Sequence, residues 1–357
     1  MKPLFPSLFL FLMHSFCIGQ NVSDAMDEYG ASFPPYTEVA IAIVDGDQVS
    51  YHGFIRTGEG FEAKDNATAV FEIGSISKVF TSTLLATKVQ EGKLKLEDPV
   101  HKLLKYRLKG NPKITLSHLA NHTSGLPRLP ENIMRDITKN PTNPYKNYDA
   151  EDLKEYCTKQ LVLENEIGSK SSYSNLGAGM LGHALSIRYK KTYEELLQEL
   201  IFEPLKMTQS TTNRTLIKEH LIPGHSPVGT PTSNWDMNVL SPAGGILSSV
   251  SDLSKFVQAN FDDSNPVYAL QRKKTITVNK KVSVALGWHI ITTESGNEYY
   301  WHNGATGGYT SSMALDVPNK KGVIILSNLS PMHPSRAKIE IMNIELLNQL
   351  MEASNKK

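Results

Sequence analysis

A serine and a lysine three residues apart, Ser75 and Lys78, are a pair whose types and spacing suit chemistry. On a helix, that spacing puts hydroxyl and amine on neighbouring sides of one face. The stretch runs Phe71-Glu-Ile-Gly-Ser-Ile-Ser-Lys78, then from Val79 to Thr87 without a charged residue. It reads as a short strand, a turn at Gly74 and a helix starting near Ser75. A helix that is neutral nearly all round is a buried one. Desolvation there favours the neutral amine, which can accept the proton of Ser75 and make it a nucleophile. Ser335 to Lys338, in a charged helix, and Ser354 to Lys357, in a polar tail, match the same pattern and read as solvated.

Two further groups carry chemistry. Tyr173-Ser-Asn175 falls in a loop before an apolar helix, Leu176 to Ile187. Tyr173 there reads either as a capping or packing residue, or as a phenol that relays a proton once Lys78 lowers its pKa. Tyr145-Lys-Asn147 matches the same pattern. Trp301-His-Asn-Gly-Ala305, followed by Thr-Gly-Gly308, sets His302, Asn303, Gly304 and Ala305 between two strands. A glycine-bearing strand edge presents backbone N–H groups to a cleft. His118 and His122 lie four apart, but no further ligand stands at a recognisable spacing. They read as polar groups satisfying a buried loop, and neither a metal nor another cofactor is expected.

The elements that must position these residues can be read in outline. Val39 to Val44 and Val49 to Ile55, joined by Asp45-Gly-Asp-Gln, form a β-hairpin. Val70 to Ile73 is a strand leading into the Ser75 helix, which stops near Gly92. Short helices are expected at residues 21–31, after Asp98-Pro99 and over Thr115 to Ala120, with loop from Thr123 to Pro130. Residues 131–165 read as helical with breaks at Pro141 and Pro144, and Tyr193 to Leu200 as a further helix. Residues 208–240 read as irregular, and Pro242-Ala-Gly-Gly245 as a tight backbone approach. A helix is expected from Ser248 to Ala259, capped by Ser251-Asp252. Val284 to Thr292, Tyr299 to Trp301, Thr310 to Asp316 and Gly322 to Ser327 read as antiparallel strands, and Arg336 to Met351 as a final amphipathic helix.

Residues 1–19 have the form of a secretory signal: Lys2, an apolar run from Leu4 to Met13, and Cys17-Ile-Gly19 before the expected cleavage. The expected mature protein is therefore periplasmic or secreted, with no stable membrane anchor, since no later run approaches the roughly 18 apolar residues of a span. Removing Lys2 leaves 36 basic and 36 acidic residues, a balance that argues against a nucleic-acid partner. Cys157 is then the one cysteine left, so no internal disulfide can form. No Gly-x-Ser-x-Gly elbow occurs, which leaves an α/β-hydrolase without its nucleophile turn.

Ser-x-x-Lys, Tyr-x-Asn and His-x-Gly, in that order and about a hundred residues apart, are together far more specific than any one of them. With Phe71 to Lys78, His122-Thr-Ser-Gly-Leu-Pro127, Tyr173-Ser-Asn175, Pro242 to Gly245 and His302-Asn-Gly304, the chain resembles the serine β-lactamase and penicillin-binding superfamily. Within it, the chain is most similar to the branch holding class C β-lactamases, D-alanyl-D-alanine carboxypeptidases and family VIII esterases. The resemblance implies an α+β fold over residues 20–357: an antiparallel sheet flanked by helices, drawn from residues 20–100 and 241–357, with a mostly helical insertion at 101–240. It implies Ser75 as nucleophile, Lys78 and Tyr173 sharing acid and base work, and Asn175 on the substrate amide or steadying Lys78. It also implies an oxyanion hole from the N–H groups of Ser75 and Ala305, with His302, Asn303 and Gly304 lining the substrate site. The implied activity is hydrolysis of a small-molecule or peptide amide or ester through an acyl-serine, with β-lactam hydrolysis foremost. A D-amino-acid peptidase, a carboxylesterase and a non-hydrolytic penicillin-binding sensor are the alternatives. Two residues depart from the β-lactamase pattern: His302 stands where a lysine is usual, and Leu129 where class C enzymes tend to have a polar amide.

Overall fold

The structure is a computed structural model that describes residues 19–58 and 60–355. The expected signal segment lies almost wholly outside the described residues. The described chain begins in a helix, α1, over residues 19–30.

The strands, in chain order, are β1 (Glu38–Asp45), β2 (Gln48–Arg56), β3 (Phe61–Ala63), β4 (Phe71–Glu72), β5 (Leu247–Ser248), β6 (Ile276–Thr277), β7 (Val282–Val284), β8 (His289–Thr292), β9 (Glu298–Ala305), β10 (Thr310–Asp316) and β11 (Lys321–Ser327). Nine of them form one antiparallel sheet in the order β3-β2-β1-β11-β10-β9-β8-β7-β6, while β4 and β5 pair separately. The helices after α1 are α2 (Ser77–Gln90), α3 (Val100–Leu104), α4 (Leu116–Ala120), α5 (Met134–Lys139), α6 (Ala150–Glu155), α7 (Asn175–Tyr189), α8 (Tyr193–Leu197), α9 (Ser241–Gly244), α10 (Val250–Asn260), α11 (Pro266–Arg272) and α12 (Ala337–Asn355). This is the expected α+β arrangement of an antiparallel sheet flanked by helices.

Alternation along the central strands explains why helices cover both faces. Side chains of a strand point alternately to opposite faces. In β1, Val39, Ile41 and Ile43 join Val22 and Met26 of α1 and Met342 and Leu346 of α12 in one apolar cluster. Ala40, Ala42 and Val44 join the larger cluster with Phe80 of α2 and Phe256 of α10. Every residue of β1 before Asp45 is therefore buried, and its sequence reads as continuously apolar but for Glu38.

Helix α2 runs through the larger core, with every residue from Ser77 to Ala86 buried. Three of its buried hydroxyls are paired, as burial of unpaired polar groups is costly. Thr81 Oγ1 donates to Pro242 O at 2.7 Å, and Thr83 Oγ1 to Gln271 Oε1 at 2.9 Å. Ser77 Oγ accepts the N–H of Ile246 at 3.1 Å. Beside α2, helix α7 presents Gly179 and Gly182 to the 240–245 turn. A Cβ on Gly182 would meet Pro242 Cγ at 2.2 Å, and one on Gly179 would meet Leu240 Cδ2 at 2.4 Å. These two glycines let the backbone of α9 sit against α2 and α7 together.

The structure corrects several boundaries. Ser75 lies in a 3-10 turn, Gly74–Ile76, that precedes α2. The expected helix from Ser248 begins at Val250, with Ser249 rather than Ser251-Asp252 as its cap, because Leu247–Ser248 pairs with Phe71–Glu72 instead. Val284 to Thr292 is two strands, broken where Gly287 takes φ +74. The strand expected to end at Trp301 continues to Ala305. Residues 131–165 hold two short helices and turns, and α6 runs on through a π-helical turn at Tyr156–Gln160.

Candidate active site

The 3-10 turn at Ser75 is clamped against strand β9. Gly74 has φ +51, and a Cβ there would stand 2.5 Å from Ala305 N. Only glycine fits both the dihedral and the approach. On the other side, a Cβ on Gly304 would stand 2.0 Å from Ile73 O. Ser311 Oγ of β10 donates to the same carbonyl at 2.9 Å. The glycines of Gly74 and His302-Asn-Gly304 thus bring the backbone of Ala305 beside the Ser75 turn.

Lys78 is 2 % exposed. Its Nζ stands 3.0 Å from Ser75 Oγ and donates to Ala243 O of α9 at 2.6 Å. Burial first, and the Arg128 charge second, hold this amine well below the usual lysine range. A neutral Nζ keeps an N–H on Ala243 O and has its lone pair free for the proton of Ser75. The Pro242-Ala-Gly-Gly245 approach expected from sequence is therefore the wall that orients the amine.

Tyr173 comes next to this pair. Lys78 Nζ lies 4.7 Å from its ring centroid, and the His122 ring 4.6 Å. Burial pushes the phenol up to about 12, with the Ser75 hydroxyl and Arg128 pulling it back. The expectation that Lys78 lowers this phenol does not hold, because a neutral amine exerts no such pull and burial dominates. Tyr173 therefore stays protonated near neutrality and is fitted to donate.

Asn175 opens α7, behind Ser174, whose hydroxyl accepts the N–H of Gly177. The Oδ1 of Asn175 is buried without a partner, and no hydrogen bond joins Asn175 to Lys78 among the described residues. Of the two roles open to it, contact with a substrate amide fits this arrangement.

His302 is 1 % exposed. Its Nδ1 lies 2.6 Å from Asn303 O, an atom that can only accept, so Nδ1 carries the proton. Nε2 is left buried and without a partner. Burial, then the neighbouring His289 and Lys78, depress this imidazole well below its usual range. The third motif thus supplies a neutral ring where a lysine would supply a cation. Asn303 is tied by Nδ2 to Glu340 Oε1 of α12 at 2.6 Å.

Ser75, Tyr173, Asn175, Asn303, Gly304 and Ala305 line one cleft of about 410 Å³, with Lys78 and His302 buried beside it. Residues not picked out from sequence also line it, among them Arg128, Trp235, His289 and Arg336. Tyr145, of the second Tyr-x-Asn match, also lines it, 5.2 Å from the Trp235 ring. Leu129 packs against the hydrophobic core, so Arg128 is the residue of that loop facing the cleft. Glu72, beside the Ser75 turn, anchors the Trp235 wall: its Oε1 accepts Asn234 Nδ2 at 2.7 Å and the N–H of Trp235 at 3.0 Å. A carboxylate three residues before Ser75 was the one visible sign of that anchor. His118 and His122 both serve as acceptors of backbone N–H groups, from Thr115 and Ser174.

The beta-lactamase family profile matches residues 22–346, and the chain belongs to that family. Similar proteins include AmpH of Escherichia coli strain K12, named as a D-alanyl-D-alanine-carboxypeptidase/endopeptidase, 27% identical over 347 residues, covering 87% of this chain and 85% of that one. Protein flp of Staphylococcus aureus strain COL is 24% identical over 321 residues, covering 83% of this chain. The match spans 61% of the length of flp. Family and relatives together support a serine hydrolase of this fold.

Proposed function

We propose that this protein is an exported hydrolase that cleaves a peptide amide next to a D-amino acid, or opens the strained amide of a β-lactam, through an acyl-Ser75 intermediate. The observation that carries the reading is the desolvated Lys78 amine at 3.0 Å from Ser75 Oγ and oriented by Ala243 O. In acylation, Ser75 Oγ bonds to the substrate carbonyl carbon as its proton passes to Lys78 Nζ. The carbonyl oxygen becomes an oxyanion, held by the N–H groups of Ser75 and Ala305, a pair worth about 3 kcal/mol or more. When the C–N bond breaks, the leaving nitrogen takes a proton from Tyr173, which recovers one from Lys78. Water then attacks the ester, giving its proton back through the same groups and releasing the acid.

The likeness to AmpH over most of both chains supports the D-alanyl peptide. Family membership supports the β-lactam as the second reading. In either substrate a carboxylate follows the scissile amide, and Arg336 at the cleft, without an ion-pair partner among the described residues, suits it. Turnover of a D-Ala-D-Ala peptide, a chromogenic cephalosporin and a nitrophenyl ester, each by wild type and Ser75→Ala, tests the reading. Hydrolysis of the peptide that disappears in Ser75→Ala is expected. Ester turnover alone overturns the amide assignment, and a penicillin adduct that persists on Ser75 with no turnover makes the protein a sensor. Export rests on Lys2, the Leu4 to Met13 run and Cys17-Ile-Gly19, and the N-terminal residue of protein recovered from periplasm or medium tests it.

A further inference from the structure

Arg128 stands in the loop between α4 and α5, one residue beyond the Gly-Leu-Pro sequence. Its carbonyl accepts the N–H groups of Asn175 and Leu176, at 2.9 and 3.2 Å. The loop is thus fastened to the end of α7 that carries Tyr173-Ser-Asn175. Its guanidinium carbon lies 5.0 Å from the Tyr173 ring centroid and faces the cleft. No carboxylate forms an ion pair with it among the described residues. The other titratable groups around Lys78 and Tyr173 are His122 from the α4–α5 loop, Tyr145 from the loop before α6, His289 from β8 and His302 from β9. Burial holds all three imidazoles below their ordinary range, so they are neutral near pH 7.

We propose that Arg128 is a positioning residue for acylation, supplying from the Gly-Leu-Pro loop the fixed positive charge that the third motif of this chain lacks. The inference rests on the acyl-serine reading above. A permanent cation over the Tyr173 ring disfavours a second charge on Lys78 and favours negative charge developing on Tyr173 and on the substrate carbonyl oxygen. It does both without touching the reacting atoms. Arg128 Lys78 coupling of this kind is consistent with the direction in which Arg128 shifts the amine. Because the guanidinium is exposed to solvent, screening weakens its effect and makes it depend on salt.

The test is the rate of Ser75 labelling by a neutral fluorophosphonate against pH, for wild type, Arg128→Met and Arg128→Lys. A neutral reagent removes any contribution from binding a substrate carboxylate. Loss of the charge in Arg128→Met raises the Lys78 pKa, so the acid limb of the profile moves up by about one pH unit at low salt. Labelling on that limb falls about tenfold, the plateau changes less, and the gap shrinks at about 1 M salt. Arg128→Lys keeps most of the wild-type rate. An acid limb in Arg128→Met that coincides with wild type overturns the inference, as does Arg128→Lys as slow as Arg128→Met. The Lys78 13Cε resonance, titrated in wild type and Arg128→Met, reads the same displacement with no reaction at Ser75. Absence of labelling in wild type therefore counts against the acyl-serine reading, while coincident Lys78 titrations count against Arg128 alone.

Discussion

Gly304→Ala is the substitution whose effect follows most directly from the geometry. The added methyl would stand 2.0 Å from Ile73 O and 2.4 Å from Ser311 Oγ, whereas real contacts begin near 3.0 Å. The serine side chain can rotate away, but the carbonyl belongs to the backbone two residues before Ser75. Strand β9 and the Ser75 turn must therefore part by about 1 Å. A misplacement of that size costs about a hundredfold in rate, or about 2.7 kcal/mol of transition-state stabilisation. Overpacking costs a further ~1–3 kcal/mol of fold stability. The assay is kcat/KM on the best substrate of the panel, beside a denaturant melt to establish that the variant is folded at the assay temperature. Gly244→Ala is the internal control, because its methyl meets the flexible end of Met237 at 3.1 Å and Gly74 C only at 3.8 Å. It is expected to retain activity within about threefold of wild type, a change below ~1 kcal/mol. A folded Gly304→Ala enzyme as active as Gly244→Ala refutes the claim that close approach of β9 assembles the site.

Further outcomes follow from burial and charge. The Lys78 pKa is lowered on folding, so at this site the unfolded chain binds more protons and the Lys78 contribution to stability rises with pH up to the unfolded value near 10.4. Relative to Lys78→Met, which has no such group, wild type should therefore gain stability from neutral pH towards pH 10, read from paired thermal melts; a constant difference across that range counts against a neutral buried amine. Glu72→Ala removes the acceptor of Asn234 and Trp235, and should cost about 1–3 kcal/mol in denaturant unfolding and raise KM more than it lowers kcat. Unchanged stability and KM in that variant would show that the Trp235 wall stands without its anchor.

Much of the fold is visible in the sequence where a local rule dominates. The β1–β2 hairpin follows from two β-rich runs around a tight turn, and α2 is marked as interior by its run without charge. The core faces of β1 are less legible, since burial on both sides erases the polar half of the alternation. Ser75, Lys78, Tyr173 and His302 stand out because each belongs to a short local pattern next to a turn or helix start. The acceptor for Lys78 does not, because Ala243 contributes only a backbone carbonyl, which no residue type announces. Trp235 is hidden for another reason: it lies in an irregular stretch, fixed by a carboxylate more than 160 residues earlier in the chain. Arg128 is not distinguished from Leu129 by sequence, since adjacent loop residues point to different places and sequence alone does not say which faces the cleft. The length of β9 escaped because the pairing of Asn303 to Ala305 is set by β10, Ser312↔Asn303 through Thr310↔Ala305, and not by the glycine-rich segment itself.

The most direct measurement is the mass of the active-site peptide after acid quench of the enzyme turning over its best substrate. The account predicts an acyl adduct on Ser75 that appears within the first turnover, decays as substrate is consumed, and is missing from Lys78→Ala as well as from Ser75→Ala. Turnover at the wild-type rate with Ser75 unmodified, or an adduct forming equally fast without the Lys78 amine, contradicts it.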